Sequence, residues 1–284
     1  MRRLESKVAV VTGAAGGLGS AAALRLAQEG ARVVAVDLAG PAAARVAESL
    51  PGPATWVEAD VSAEAGVDRY MTAALDRFGR VDLHHLNAGI PGPLGRIPDL
   101  VAADFDRVMA VNVRGVFLGL RAAFRQYSDQ GGTGAIVVTA SIGSLRGSAD
   151  LLPYQTSKHA VLGLVHGAAV YGGPLGIRVN AVAPGIVPTE LFAAMPDAAP
   201  DAPGGRNDMA HRASTTPLRR AGTAAEIAAV VAFLLSDDAG YITGEVVSAD
   251  GGASVVSIVR PSGGAGAWDP HRHDTVFYGK EPGT

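Results

Sequence analysis

No cysteine occurs anywhere in the 284 residues, which removes disulfides, thiolate metal sites and cysteine nucleophiles from consideration. Excess positive charge is missing too. The formal net charge is −3 and charged residues make up 18%, so no basic field exists to hold nucleic acid or an anionic membrane. Nor is there an apolar run long enough for a signal peptide or a membrane span. Residues 1–7 lead straight into a strand pattern, and a soluble cytoplasmic protein is expected. What is present is a chain 48% hydrophobic with 37 glycines, long enough for one α/β unit built on a single large sheet. A small neutral molecule is the natural partner for such a surface.

The apolar run Val8-Ala9-Val10-Val11 ends in Thr12-Gly13-Ala14-Ala15-Gly16-Gly17-Leu18-Gly19, and a helix pattern covers residues 21–28. Strand, glycine turn and helix in that order let a pyrophosphate approach backbone N–H groups at the positive end of the helix. A second strand, 31–36, finishes at Asp37, eighteen residues past Gly19, where a carboxylate accepts from an adenosine ribose. The same charge repels a 2′-phosphate, and no Arg or Lys stands in the glycine turn or directly after Asp37 to compensate. NAD is therefore favoured over NADP. Further strands are expected at 54–59, closed by Asp60-Val61, at 81–86, followed by Asn87-Ala88-Gly89, at 134–139, at 176–181 and at 245–250. Helices are expected between them, at 41–50, after Ser62 as a cap, over 103–127 and from Thr223 to Leu235. Alternation of this kind predicts one domain, 1–253, with a parallel seven-stranded, doubly wound sheet of the Rossmann type and helices on both faces. His84 and His85 are no metal pair, because strand neighbours point to opposite faces and no third ligand is placed by spacing. Asn112, inside an apolar helical stretch, either bonds backbone or bends the helix and holds a water. Residues 190–221 have no strand period and form a candidate lid, and 254–284 reads as a loop-like C-terminal extension.

Leu152-Pro153-Tyr154-Gln155-Thr156-Ser157-Lys158 carries the chemistry. With Pro153 in the first turn of a helix, Tyr154 and Lys158 lie four residues apart on one face. A nearby ammonium favours phenolate over phenol and suits Tyr154 to proton transfer. Ser141 closes the preceding strand thirteen residues before Tyr154.

Together, Thr12-Gly13-x-x-x-Gly17-x-Gly19, Asp37, Asp60-Val61, Asn87-Ala88-Gly89, Asn112, Ser141, Tyr154-x-x-x-Lys158 and Pro184-Gly185 closely resemble the short-chain dehydrogenase/reductase family over residues 5–253. The resemblance implies that Tyr154 is the acid/base and that Lys158 bonds the nicotinamide ribose and lowers the Tyr154 pKa. It also implies that Ser141 orients the substrate oxygen and that Asn112 holds a relay water. Gly13, Gly17 and Gly19 admit the pyrophosphate, Asp60 and Val61 lie by the adenine, and Asn87 supports the glycine turn. Thr189 is placed by the carboxamide, and Leu18, Ala88, Gly89, Pro184, Gly185 and Val187 complete the expected cofactor set. Leu86 stands where the family commonly has Asn, a change expected to affect packing more than chemistry. The extension past Asp250-Gly251-Gly252, with Trp268, His271, His273, Phe277 and Tyr278, is either a cap over a partner subunit's site or a disordered tail.

Around Ser141 and Tyr154, the expected substrate residues Leu152, Ile186, Leu191 and Phe192 are apolar, with Arg146 and Asp150 as possible polar exceptions. A neutral, hydrophobic secondary alcohol or its ketone is the expected substrate. An NADPH-dependent ketone reductase and a non-catalytic NAD-binding sensor are the alternatives. Family resemblance and the long helices at 103–127 and 153–170 imply a homotetramer.

Overall fold

The computed structural model describes residues 2–148, 150–193 and 208–256. Seven short strands form its centre: β1 (Val8–Thr12), β2 (Arg32–Asp37), β3 (Ala54–Glu58), β4 (Leu83–Leu86), β5 (Gly134–Thr139), β6 (Ile177–Pro184) and β7 (Val246–Ala249). All pair in parallel in the order β3-β2-β1-β4-β5-β6-β7. Parallel strands buried on both faces need apolar side chains at successive positions, and β1 has them: all five of its residues are buried. Ala9 and Val11 enter one layer while Val8 and Val10 enter the other.

One face carries α1 (Gly17–Gln28), α2 (Gly40–Ser49) and, across the sheet centre, α9 (Ala224–Leu235). The other face carries α3 (Glu64–Phe78), α4 (Ala102–Met109), α5 (Gly115–Asp129) and α6 (Leu152–Gly172). Two short helices, α7 (Glu190–Ala193) and α8 (Met209–Ser214), belong to the stretch expected as a lid. The doubly wound expectation holds, and the chain reverses direction across the sheet between β1 and β4. That reversal opens a crevice beyond the carboxyl ends of the central strands.

Some local expectations need correcting. Ser62 does not cap α3: the N-cap is Ala63, without a side-chain bond, and Ser62 instead donates its hydroxyl to Asp60 Oδ1 at 2.7 Å. Thr223 does cap α9, accepting from Glu226 N while the Glu226 carboxylate accepts from Thr223 N. The single long helix expected over 103–127 is α4 and α5 joined by a π turn at Ala110–Arg114. β4 is shorter than the pattern and begins at Leu83; Asp82 before it gives its carboxylate to Val8 N and Arg80. Residues 194–207 and the extension from 257 onward, with the aromatic and histidine positions named above, lie outside the described residues. Among the described residues no helix is long and apolar enough to cross a membrane.

Candidate active site

The crevice at the sheet reversal is a cleft of about 780 Å³. The glycine turn lines it with Gly13, Gly17, Leu18 and Gly19, the end of β2 with Asp37, and the end of β4 with Asn87, Ala88 and Gly89. From β5 onward come Ser141, Tyr154 and Lys158, then Pro184, Gly185, Ile186, Val187 and Thr189. Residues 172 positions apart in the chain, Gly13 and Gly185, thus share one wall system.

Why glycine is needed in the turn is visible at two positions. Gly13 has φ +65°, and a Cβ on Gly19 would fall 2.0 Å from Gly13 O, so any side chain there would drive the helix away from the strand. At the start of α1, Gly17 N donates to Glu190 Oε2 at 3.0 Å. Asp37 ties this turn to β2, accepting from Ala15 N at 2.9 Å and from Ala39 N at 3.0 Å. Asn87 buttresses it from β4. Its Nδ2 donates to Thr12 O at 3.1 Å and to Gly13 O at 3.3 Å.

The residues expected to carry the chemistry lie just past the end of β5 and on α6. Ser141 is held by a reciprocal cap: its Oγ accepts from Gly143 N at 3.0 Å, and its N donates to Ser144 Oγ at 3.2 Å. Tyr154 lines the same cleft as Ser141. Lys158, 4% exposed, donates from Nζ to Thr139 O at 2.8 Å and lies 5.6 Å from the Tyr154 ring centroid. Burial pushes its ammonium down to about 8. Tyr154 is raised by burial, with the Ser141 side chain pulling the other way; desolvation of the ring is the larger effect.

Asn112 lies in the π turn and is fully buried. Both ends of its amide hold the Ile90 peptide, Oδ1 accepting from Ile90 N at 2.8 Å and Nδ2 donating to Ile90 O at 2.9 Å. Nδ2 also reaches Ser157 Oγ at 2.9 Å, and Ser157 Oγ donates to Tyr154 O at 2.6 Å. The side chain thus bonds backbone, the first of the two alternatives, and it does so from within the π turn. A Cβ on Gly89 would lie 3.3 Å from Asn112 Oδ1 and 3.5 Å from Lys158 Nζ, so Gly89 brings the two side chains near one another.

Besides Asn112, three expected residues stand apart from the cleft lining. Asp60 bonds Ser62, Val61 packs under Gly115, and Leu152 is 39% exposed beside the lining residue Leu151. Leu191 and Phe192 fall in α7, whose start reaches the glycine turn through Glu190. Residues the pattern did not single out are Ser157, Thr139, Glu190 and Gln155. Gln155 accepts from Ser148 N and donates to Arg146 O, both at 2.8 Å, pinning the loop that brings Arg146 to the cleft. Arg146 lines the cleft and Asp150 does not, so the wall is not wholly neutral. Among the described residues no cluster of three metal-ligating side chains occurs.

A family model described as "Enoyl-(Acyl carrier protein) reductase" matches residues 13–254. A levodione reductase of Leifsonia aquatica is 43% identical over 258 residues, 89% of this chain and 96% of that protein. A mitochondrial borneol dehydrogenase of Lavandula x intermedia is 36% identical, covering 90% of this chain and 94% of that one. Among solved structures, a 3-ketoacyl-(acyl-carrier-protein) reductase from Brucella melitensis complexed with NADH superposes with a TM-score of 0.80 at 36% identity, over 88% of this chain and 99% of that chain. Site geometry, topology and sequence agree, and the chain belongs to the short-chain dehydrogenase/reductase family of oxidoreductases.

Proposed function

We propose that the chain is an NAD-dependent dehydrogenase that interconverts a hydrophobic secondary alcohol and its ketone. One observation carries this reading: Ser141, Tyr154 and Lys158 open into the same cleft as the glycine turn and Asp37. The residues present fit a dinucleotide. Gly13 and Gly19 form a turn too tight for any side chain, leaving backbone N–H groups toward a diphosphate, and Asp37 stands where a ribose would be held. Asp37 also supports NAD over NADP, for the electrostatic reason given above. When bound, the nicotinamide supplies or accepts the hydride.

The protein's own part is to place an oxygen and move a proton. Ser141, locked by Ser144, offers its hydroxyl to the substrate oxygen. Tyr154, raised by burial, carries its proton at neutral pH and gives it up on reduction. In the oxidative direction it must take a proton, which asks for the phenolate; an ammonium close by favours that form once it is charged. Lys158 is held for this by Thr139 O. Ile142, Leu151, Ile186 and Val187 supply the apolar wall, with Arg146 at its exposed part. Relatives named as a reductase and as a dehydrogenase are in keeping with a reversible carbonyl–alcohol step.

A panel of secondary alcohols followed by NADH absorbance, with NADP as control, tests the proposal. NAD-linked turnover is expected. A preference for NADP would replace the reading with an NADPH-dependent ketone reductase, and NAD binding without turnover of any alcohol or ketone would leave a sensor. Tyr154→Phe is expected to lower turnover by about 100- to 10,000-fold with cofactor affinity kept. Near-normal activity in that variant would remove Tyr154 from the mechanism. The same reading includes a homotetramer. Val170 and Tyr171 on α6 are largely exposed, and Gly163 and Gly167 leave open space along that helix. Light scattering should give the mass of four chains; a monomer would refute it.

A further inference from the structure

Beneath the cleft, β4 carries a histidine that the reaction does not use. His85 is 1% exposed, and burial drives its pKa down to about 3, so the ring is neutral. Its Nε2 lies 2.9 Å from Thr139 Oγ1, and Thr139 Oγ1 lies 2.9 Å from Asn87 Oδ1.

The direction of each bond in this chain is forced. Asn87 Nδ2 faces two carbonyl oxygens, Thr12 O and Gly13 O, which only accept, so that end of the amide is the NH₂. The other end is then the carbonyl oxygen and must accept from Thr139. Thr139 has one proton and gives it to Asn87, so its hydroxyl must accept from His85. Hence His85 is the Nε2–H tautomer. Its Nδ1 is left a bare acceptor, and that atom has no partner. A buried polar atom without a partner is costly and asks for a reason; here the reason lies at the other end of the ring. Thr139 serves the site twice, since its carbonyl is the acceptor for Lys158 Nζ.

We propose that His85 is a positioning residue for the dinucleotide cradle: by donating to Thr139 it fixes the Asn87 amide against the glycine turn. It touches neither substrate nor cofactor and acts through Thr139 and Asn87. The inference rests on the reading of the cleft as a dinucleotide site.

Three variants and one spectrum test it. NADH affinity is measured by fluorescence, and melting temperature alongside, for the unaltered chain, His85→Leu, His85→Gln and Thr139→Val. A Gln amide can donate where Nε2–H did, and Leu cannot. His85→Leu and Thr139→Val are expected to weaken NADH binding by about tenfold, the effect of one hydrogen bond, and His85→Gln to recover most of it. His85→Leu also removes the orphaned Nδ1, so its melting temperature should hold. If His85→Leu binds NADH like the unaltered chain, or if Gln and Leu lose affinity and melting temperature together, His85 is merely structural. In the unaltered chain, ¹⁵N spectra should show Nε2 protonated and Nδ1 bare. A Nδ1–H tautomer would overturn the proposal whether or not the variants fold. Absence of NADH binding by the unaltered chain would instead strike at the function proposed above.

Discussion

His84 and His85 stand side by side on β4 and face opposite layers, His84 meeting Tyr127 at 2.8 Å and His85 meeting Thr139 at 2.9 Å. The strand period alone separates them, since neighbours alternate. Their partners were not legible, because they lie 43 and 54 residues along the chain. Burial lowers both rings from 6.5 to about 3. Between those values the unfolded chain binds protons that the folded chain refuses. The stability the rings contribute is therefore complete above about 6.5 and is lost as the pH falls toward 3, at about 1.4 kcal/mol per pH unit for each ring. His84→Phe should show a smaller fall in urea midpoint from pH 7 to pH 5 than the unaltered chain. An equal fall would mean that His84 already binds its proton when folded. At this same scale Asp37, Ser141 and Tyr154 were legible because each lies at or next to an element boundary that the pattern marks, and Lys158 because it stands one helical turn past Tyr154. Thr139, Ser157 and Glu190 were not, for nothing in a lone hydroxyl or carboxylate says which distant group it will meet.

The helix from Ala102 to Asp129 shows what periodicity can and cannot read. Its apolar face is evident, but one added residue in a π turn shifts the face by less than a turn, and the pattern passes over it. The turn places Asn112, whose amide clamps the Ile90 peptide and reaches Ser157 on α6. Further along, α5 accommodates the departure at Leu86. A Cβ on Gly119 would lie 2.6 Å from Leu86 Cδ2, so the larger side chain on β4 is matched by a bare position on the helix above it. Leu86 was expected to touch the packing of the cofactor loop; its contact is with α5. Gly119→Ala should destabilise the chain by about 1–3 kcal/mol through overpacking. Leu86→Val in the same chain should restore much of the loss, as followed by denaturant midpoint. Additive losses in the double variant would show that the two positions do not share that space.

For the whole molecule, strand and helix order fixed the topology almost completely, because parallel strands with right-handed crossovers admit few arrangements. The sequence could not say how the two halves of the cleft communicate. Glu190 answers in part: from α7, at the head of the stretch expected as a lid, its carboxylate takes Gly17 N at the positive end of α1. Glu190→Gln removes the negative charge there and should tighten NADH binding several-fold at low ionic strength, measured by titration calorimetry. An unchanged dissociation constant would show that the carboxylate and the diphosphate coexist. If they do not, loading this protein is a substitution of one anion for another. The measured affinity is then a difference rather than a sum, and the tether on α7 is cut by the arriving nucleotide before any substrate is chosen.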